Sequence, residues 1–218
     1  MAKLGFKELG IAFNAGVLSP FQKDALRELA NIGSGHAVTS LSEMLGGKLV
    51  HINVPRVELL RLEDAKKTMR GDKIAAGIFF KLRGEISGYM QILFPERSAL
   101  TLVDVLMGKA VGETQNINSE LERSALNEVG NILASAFCDA LSEFLGVSVV
   151  PSPPSFAFDF VGAIVESAIL AVATDRIILF ECDFSEEEND IHGYILLFPS
   201  LDGLRKMLAL LEAKINGV

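Results

Sequence analysis

Two stretches of the chain repeat apolar and polar residues with the period of an amphipathic helix. They cover residues 24–45 and 124–145 and align with each other without a gap. Apolar side chains recur at spacings of three and four, which places them on one stripe of a helix. The stripe holds Leu26, Leu29, Ala30, Ala37, Leu41 and Met44 in the first stretch, and Leu126, Val129, Gly130, Phe137, Leu141 and Phe144 in the second. We therefore predict two long helices whose remaining faces are polar.

A strand-rich segment and a shorter helix follow each long helix. Apolar residues bounded by turn residues predict strands at residues 48–54, 73–83 and 85–94 in the first half, and at residues 148–150, 167–173, 176–183 and 191–198 in the second. The helical period returns over residues 97–107 and 204–213. The acidic residues 186–190 predict a solvated hairpin turn.

The two halves of the chain, approximately residues 20–110 and 120–215, therefore share one order of elements: helix, strands, helix. Such an internal repeat predicts a pseudo-two-fold α/β (α+β) fold. We expect one domain over residues 1–218, in which the strands of both halves join a shared β-sheet and the long helices lie on one face. The second half also contains residues 156–165, which have no counterpart in the first.

Composition narrows the classes of function. The net charge is −8 without a Lys/Arg cluster, whereas nucleic-acid binding needs concentrated positive charge. The chain has neither a signal-peptide pattern nor an apolar run of the roughly 18 residues that span a bilayer. Cys138 and Cys182 lack CxxC spacing and indicate buried, reduced thiols, and the three His residues form no metal-binding motif. We expect a cytoplasmic protein without membrane insertion and without a metal of its own.

The polar faces of the two long helices retain one pair of residues. Glu28 and Asn31 are three apart, as are Glu128 and Asn131, so each pair projects side by side from its helix. A solvated helix face is the alternative interpretation, but exposed neighbours differ between the copies while the Glu and the Asn do not. An Asn carboxamide can orient a water molecule, a Glu can pair with a partner's Lys, and a helix holds both groups rigidly.

The spacing of these residues resembles the motif of the CheC/CheX/FliY family of chemotaxis phosphatases. In that motif an Asp or Ser precedes the Glu, the Asn follows it, and a Pro lies further along the chain. The matching residues are Asp24, Glu28, Asn31 and Pro55 in the first copy, and Ser124, Glu128, Asn131 and Pro154 in the second. The first copy is one residue longer between its Asn and its Pro. The resemblance covers approximately residues 20–215.

The resemblance implies a phosphatase that acts on the response regulator CheY. An Asn would orient the water that attacks the aspartyl phosphate, and a Glu would contact a conserved Lys of the regulator. Mg²⁺ would arrive with the bound regulator, so this chain would hold no cofactor. Asp24 and Ser124 would support the edge of the partner-binding face. The catalytic residues would be Glu28, Asn31, Glu128 and Asn131.

Within the family the chain most resembles CheC, with the core of FliY second. CheX-like chains carry one motif and work as dimers, whereas this chain carries two. No flagellar-switch domain is expected, because residue 218 follows soon after the last predicted helix. The alternative is a FliY core without its switch domain, for which flagellar switch proteins are expected partners. Residues 1–19 would form either a short packed helix or a CheY-docking peptide.

The segment after the Pro-Pro break implies a second partner. CheC proteins use a short helix in this place, with an Asp among apolar residues, to bind the receptor deamidase CheD. Here Asp159 matches that Asp, and Phe158 and Phe160 would flank it as an apolar patch. A core helix with one acidic residue explains the same pattern, and the sequence leaves both interpretations open.

Two functions fit these observations. A phosphatase with two active faces explains why both Glu-x-x-Asn pairs are retained. The alternative is a binding module that docks CheY or CheD without catalysis. A small-molecule enzyme is disfavoured, because the sequence lacks a P-loop, a GxGxxG turn and a nucleophile elbow. The relative activity of the two sites, the rate and the oligomeric state stay open.

Overall fold

The computed structural model describes residues 18–61, 73–171, 176–186 and 189–215. Within these ranges the helices are α1 (Pro20–Met44), α2 (Glu96–Met107), α3 (Glu120–Leu145), α4 (Val161–Ala171) and α5 (Leu201–Ile215). The strands are β1 (Val50–Arg61), β2 (Ile74–Gly84), β3 (Gly88–Pro95), β4 (Val149–Pro151), β5 (Ser155–Phe160), β6 (Arg176–Glu186) and β7 (Asn189–Pro199). The two long helices and the shorter helix after each strand-rich segment are confirmed.

Both long helices begin at the same kind of capping box. The Ser19 hydroxyl accepts a hydrogen bond from the backbone N–H of Gln22, and the Gln22 side chain accepts one from the backbone N–H of Ser19. Ser119 and Glu122 make the same reciprocal pair at the start of α3. Such a box satisfies backbone donors that the first turn of a helix leaves without partners.

The described strands form one antiparallel sheet. Its order is β1-β6-β7-β3-β2-β4, and β5 also pairs with β2. Strands of the two halves pair with each other four times, since β1 pairs with β6, β7 with β3, and β2 with both β4 and β5. If β1 is exchanged with β4, β2 with β6 and β3 with β7, the strand order reads the same from the opposite edge of the sheet. This symmetry is compatible with two related halves. The shared sheet predicted from the repeat is confirmed.

The long helices lie on one face of the sheet and pack against each other above a large apolar core. A Cβ added at Gly33 of α1 would lie 3.2 Å from the Cα of Phe137 and 3.3 Å from the carbonyl oxygen of Ala136, both in α3. A Cβ added at Gly130 of α3 would lie 2.7 Å from Cδ1 of Ile78 in β2. Glycine at these two positions therefore lets α1 approach α3 and lets α3 approach the sheet.

A smaller apolar cluster lies on the opposite face of the sheet, beneath α4. Ile164 of α4 packs over Gly77 of β2, where an added Cβ would lie 2.6 Å from Cγ2 of Ile164. The short helix α4 thus covers the face that the long helices leave open at β2. The buried members of this cluster are Ala75, Leu93, Ile164, Ile177, Leu179, Leu196 and Phe198.

Two predictions for the second half are wrong. Residues 167–171 belong to the helix α4 and not to the strand predicted over residues 167–173, of which residues 172 and 173 lie outside the described ranges. Periodicity does not separate a buried strand from a buried helix in so apolar a run. Asp159 lies on the strand β5 and not on the short helix that the resemblance implied. The alternation of apolar residues around Asp159 suits a strand, and β5 pairs with β2 through its backbone.

The remaining boundaries follow from turns and edges. β6 and β7 form the hairpin predicted for the acidic run, because Glu186 pairs with Asn189; residues 187–188 lie outside the described ranges. β1 continues to Arg61, beyond the predicted end at residue 54, and a register shift between Asn53 and Arg56 accommodates Pro55 at the sheet edge. β3 begins at Gly88, three residues later than predicted.

The predicted helix or docking peptide at residues 1–19 lies almost entirely outside the described ranges. In the part of the chain that the structure describes, no helix combines the length and apolar character needed to cross a membrane.

Candidate functional site

The first Glu-x-x-Asn pair lies on an open face of α1. Glu28 and Asn31 are exposed, while Leu26 and Leu29 beside them are fully buried in the core. Neither the side chain of Glu28 nor that of Asn31 makes a hydrogen bond or ion pair with a described residue. One turn further along, a Cβ added at Gly35 would meet no atom within 4 Å. The two polar groups are therefore free for a partner, on a backbone that the core holds in place.

The second pair lies on α3 in a more enclosed setting. Glu128 is exposed, but Asn131 and the following Ser135 are half-buried. As on α1, neither the side chain of Glu128 nor that of Asn131 has a hydrogen-bond or ion-pair partner among the described residues. The carboxamide oxygen of the neighbouring Asn127 is buried and also lacks a hydrogen-bond partner within the described ranges. The two sites thus present the same residues with unequal exposure.

Two residues that precede each Glu differ between the faces: they form an ion pair on α1 and are uncharged on α3. On α1, Arg27 donates a hydrogen bond to the carboxylate of Asp24 at 2.8 Å, and both side chains are exposed. An exposed pair of this kind contributes only about 0–1 kcal/mol to stability, and its two opposite charges leave the net charge of the face unchanged. On α3 the corresponding residues are the neutral Ser124 and Asn127. A partner would therefore meet an ion pair at one site and uncharged polar side chains at the corresponding positions of the other.

The three residues predicted to bind a further partner lie together on β5, at the sheet edge. Phe158, Asp159 and Phe160 line a groove of about 460 Å³ whose other wall includes Asn116 and Arg123. Asp159 is exposed, and its carboxylate accepts a hydrogen bond from the backbone N–H of Phe160 at 2.7 Å. Phe158 is half-buried against the main core, while Phe160 is exposed. Neither Glu–Asn pair contributes to this groove.

Sequence reasoning missed a hydrogen-bonded loop, residues 108–119, that leads into α3. The carboxylate of Asp104, fully buried in α2, accepts hydrogen bonds from the backbone N–H groups of Gly112 and Thr114. Burial acts to raise the pKa of Asp104, but the hydrogen bonds from Thr114 and Gly112 outweigh it and lower that pKa. The sequence signal for this carboxylate is a single Asp inside the apolar run of residues 102–106.

A second carboxylate closes the same loop at the first turn of α3. Glu122 accepts hydrogen bonds from the backbone N–H groups of Asn118 and Ser119 and from the Lys109 ammonium at 3.0 Å. The backbone hydrogen bond at Ser119, followed by the one from Lys109, lowers the pKa of Glu122 to about 2. These contacts fix the start of the helix that carries Asn131. Its sequence signal is the capping-box spacing of Ser119 and Glu122.

The cysteine prediction is confirmed for Cys138. Its thiol is buried and free, and burial raises its pKa to about 12. A thiol with so high a pKa stays protonated at neutral pH and does not act as a nucleophile. The side chain of Cys182 lies outside what the structure describes.

The sequence and the fold are both similar to known chemotaxis proteins. The model of the CheC-like family matches residues 21–59 and 121–157. The CheY-P phosphatase CheC of Bacillus subtilis is 26% identical over 200 residues, which cover 89% of this chain and 95% of that protein. The crystal structure of Thermotoga maritima FliY has a TM-score of 0.75 at 23% identity and covers 91% of this chain and 99% of its own. A chain of the H. pylori FliG–FliM complex has a TM-score of 0.67 at 12% identity, over 88% of this chain and 100% of that one.

The structural similarities show a common fold, a mixed α/β domain with an antiparallel sheet. The two matched segments of the family model each contain one Glu–Asn pair, and the Bacillus subtilis relative aligns across both. These matches and the repeated motif agree, and together they support the CheC/CheX/FliY family for this chain.

Proposed function

We propose that this protein is a phosphatase that hydrolyses the aspartyl phosphate of the response regulator CheY. The observation that carries the proposal is the free Glu–Asn pair on each of two helix faces held by a common core. The relative from Bacillus subtilis is itself named a CheY-P phosphatase, which supports the same substrate for this chain.

In the proposed reaction the Asn supplies position and not covalent chemistry. The carboxamide of Asn31 or Asn131 enters the active site of the regulator and holds a water molecule in line with the phosphorus. Water attacks the phosphorus, the bond to the aspartyl oxygen breaks, and inorganic phosphate and a free carboxylate are the products. A carboxamide suits this role because it donates and accepts hydrogen bonds without changing its charge.

The Glu of each pair has a docking role. Glu28 or Glu128 lies one helical turn before its Asn and pairs with a Lys of the regulator, which fixes the depth and direction of the Asn. Mg²⁺ bound by the regulator neutralises charge on the phosphoryl group, so the charge on the phosphate is balanced by the partner and not by this chain. Asp24 and Ser124 support the edge of each face.

Further partners belong to the same proposal. The groove beside Asp159, Phe158 and Phe160 is a candidate for the CheD contact, now as a strand edge instead of a helix. Flagellar switch proteins are candidates through the fold that this chain shares with FliY and with the FliG–FliM complex. The net charge of −8 disfavours nucleic acid, and we propose a cytoplasmic location.

The alternative function is a binding module that docks CheY or CheD without catalysis. One observation favours it: chains that belong to flagellar switch assemblies have the same fold, so the fold alone does not determine activity. The free Asn on each face favours the phosphatase, because docking alone needs the Glu but not the Asn.

The test is the decay of phosphorylated CheY, followed as loss of aspartyl phosphate in a single turnover with excess phosphatase. Asn31→Ala and Asn131→Ala should each leave the activity of the remaining site, and the double variant should reduce the decay to that of CheY alone. Asn53→Ala is the matched control, since Asn53 is exposed on β1 and belongs to neither pair. A double variant with full activity would contradict the mechanism. A wild-type protein that binds CheY without accelerating decay would favour the binding module.

A further inference from the structure

Each polar face begins with a large apolar side chain that is open to solvent. Phe21 of α1 is 50% exposed and Leu121 of α3 is 66% exposed. The two residues are one hundred positions apart, as are the Glu–Asn pairs, so they occupy equivalent places in the repeat. Phe21 precedes Glu28 by seven residues, and Leu121 precedes Glu128 by seven.

Helix geometry places each apolar residue in line with its Glu. Seven residues make almost two turns, so the side chains of Phe21 and Glu28 differ in direction by only about 20° and lie about 10 Å apart along the axis. The same holds for Leu121 and Glu128. Each face therefore runs in one order along its helix: apolar residue, small polar residue, Glu and Asn.

The recurrence of this pair distinguishes it from other exposed apolar side chains. Single exposed apolar residues are normal on a protein surface and need no explanation. Leu49 and Val150 are also exposed, but the first copy is one residue longer before these strands, so the equivalent positions hold the polar residues Ser148 and His51. Among the exposed large apolar residues of the described ranges, Phe21 and Leu121 are the pair that is exposed in both copies.

We infer that Phe21 and Leu121 are docking residues that contact the same response regulator as the Glu–Asn pairs. The inference rests on the proposed function, because it takes the regulator as the partner of these faces. It adds a requirement on that partner: an apolar surface about 10 Å from the Lys that the Glu contacts, measured along the helix. At protein interfaces a few buried anchor residues carry most of the binding energy.

The inference separates binding from turnover. Phe21 and Leu121 lie too far from the Asn to touch the attacking water, so their loss should weaken docking without changing the chemical step. Phe21→Ala and Leu121→Ala should each raise the KM of their own site by about tenfold and leave kcat at saturating CheY within about twofold. Phe21→Leu should restore most of the affinity, because leucine occupies the equivalent place on α3.

A crossed set of variants assigns each residue to its site. In the Asn131→Ala background only the α1 site is active, so Phe21→Ala should raise KM and Leu121→Ala should not. In the Asn31→Ala background the dependence should reverse. Leu201→Ala is the control, since Leu201 is 46% exposed on α5 and lies on neither face. Circular dichroism and thermal unfolding would establish that every variant is folded.

Binding is measured separately, by titration with CheY that carries beryllofluoride and Mg²⁺ in place of the phosphate. Weakened binding by Phe21→Ala with Leu121→Ala would support the docking inference, even if the wild-type protein proved unable to accelerate dephosphorylation and the proposed function failed. Unchanged binding and unchanged KM in these variants, with wild-type turnover intact, would overturn the inference and leave the proposed function standing. A fall in kcat alone would also overturn it.

Discussion

The contact between Gly130 and Ile78 gives the most direct test of how closely α3 approaches the sheet. An added Cβ would lie 2.7 Å from Cδ1 and 2.8 Å from Cγ2 of Ile78, which is fully buried. Carbon atoms prefer separations of about 3.5–4.0 Å, so Gly130→Ala requires α3 or Ile78 to move by roughly 1 Å. Overpacking of this kind costs about 1–3 kcal/mol of stability.

Gly35→Ala is the matched control for this substitution. Gly35 also lies inside a long helix, but an added Cβ there would meet no atom within 4 Å. Alanine is favoured over glycine in a helix by about 1 kcal/mol, and both variants gain this contribution. The difference in unfolding free energy between Gly35→Ala and Gly130→Ala therefore isolates the steric cost at Ile78, which we expect to be about 1–3 kcal/mol.

Urea unfolding followed by far-ultraviolet circular dichroism measures that difference, and it suits a chain without Trp. Adding Ile78→Val to Gly130→Ala removes the Cδ1 methyl and should recover part of the lost stability. Equal stability of the Gly130→Ala and Gly35→Ala proteins would refute the reasoning. Because Asn131 follows Gly130, a displaced α3 should also reduce the dephosphorylation that remains in an Asn31→Ala protein.

Three further outcomes test the loop and turn contacts. Asp104→Asn should destabilise the protein by about 1–3 kcal/mol in urea unfolding, because an amide replaces a buried acceptor of two backbone hydrogen bonds. Glu122 has a pKa of about 2 in the folded protein against an ordinary value of 4.5, so its contribution to stability should be complete above about pH 4.5 and be lost as pH falls towards 2; unfolding midpoints of wild type and Glu122→Gln should converge over that range. Gly84→Ala should cost more stability than Gly46→Ala, although both glycines have positive φ. An added Cβ at Gly84 would lie 2.1 Å from the backbone oxygen of Ser148, whereas one at Gly46 would meet no atom within 4 Å. Similar unfolding midpoints for the two variants would contradict this contact.

The elements that the sequence predicts well are those with a long, unambiguous period. The apolar stripes fix α1 and α3, and the repeat implies that the strands of both halves share a sheet. The predictions at residues 156–171 are wrong because tertiary contacts decide them. The helix α4 packs over Gly77 through Ile164, and β5 forms a strand because its backbone pairs with the edge of β2. Neither contact has a local signature.

In the candidate site, too, local spacing predicts some features and tertiary packing decides the others. Spacing along the helix is enough to place Glu28 beside Asn31 on an outward face. It does not foresee that Asn131 is half-buried while Asn31 is exposed, because that difference comes from the packing around α3. The carboxylate of Asp104 was missed for a similar reason: its donors, Gly112 and Thr114, belong to a loop without periodic structure.

The order of strands has a consequence for how the two faces can evolve. A strand of each half pairs at the edge of the other half, since β1 pairs with β6 and β4 pairs with β2. The strands β3 and β7, one from each half, pair in the middle of the sheet. A single half would leave these strand edges unpaired and would need a second copy of itself to complete the sheet. Joining both halves in one chain removes the requirement that they be identical. Either helix face can then change its charge, its exposure or its partner while the other face and the sheet beneath both are preserved.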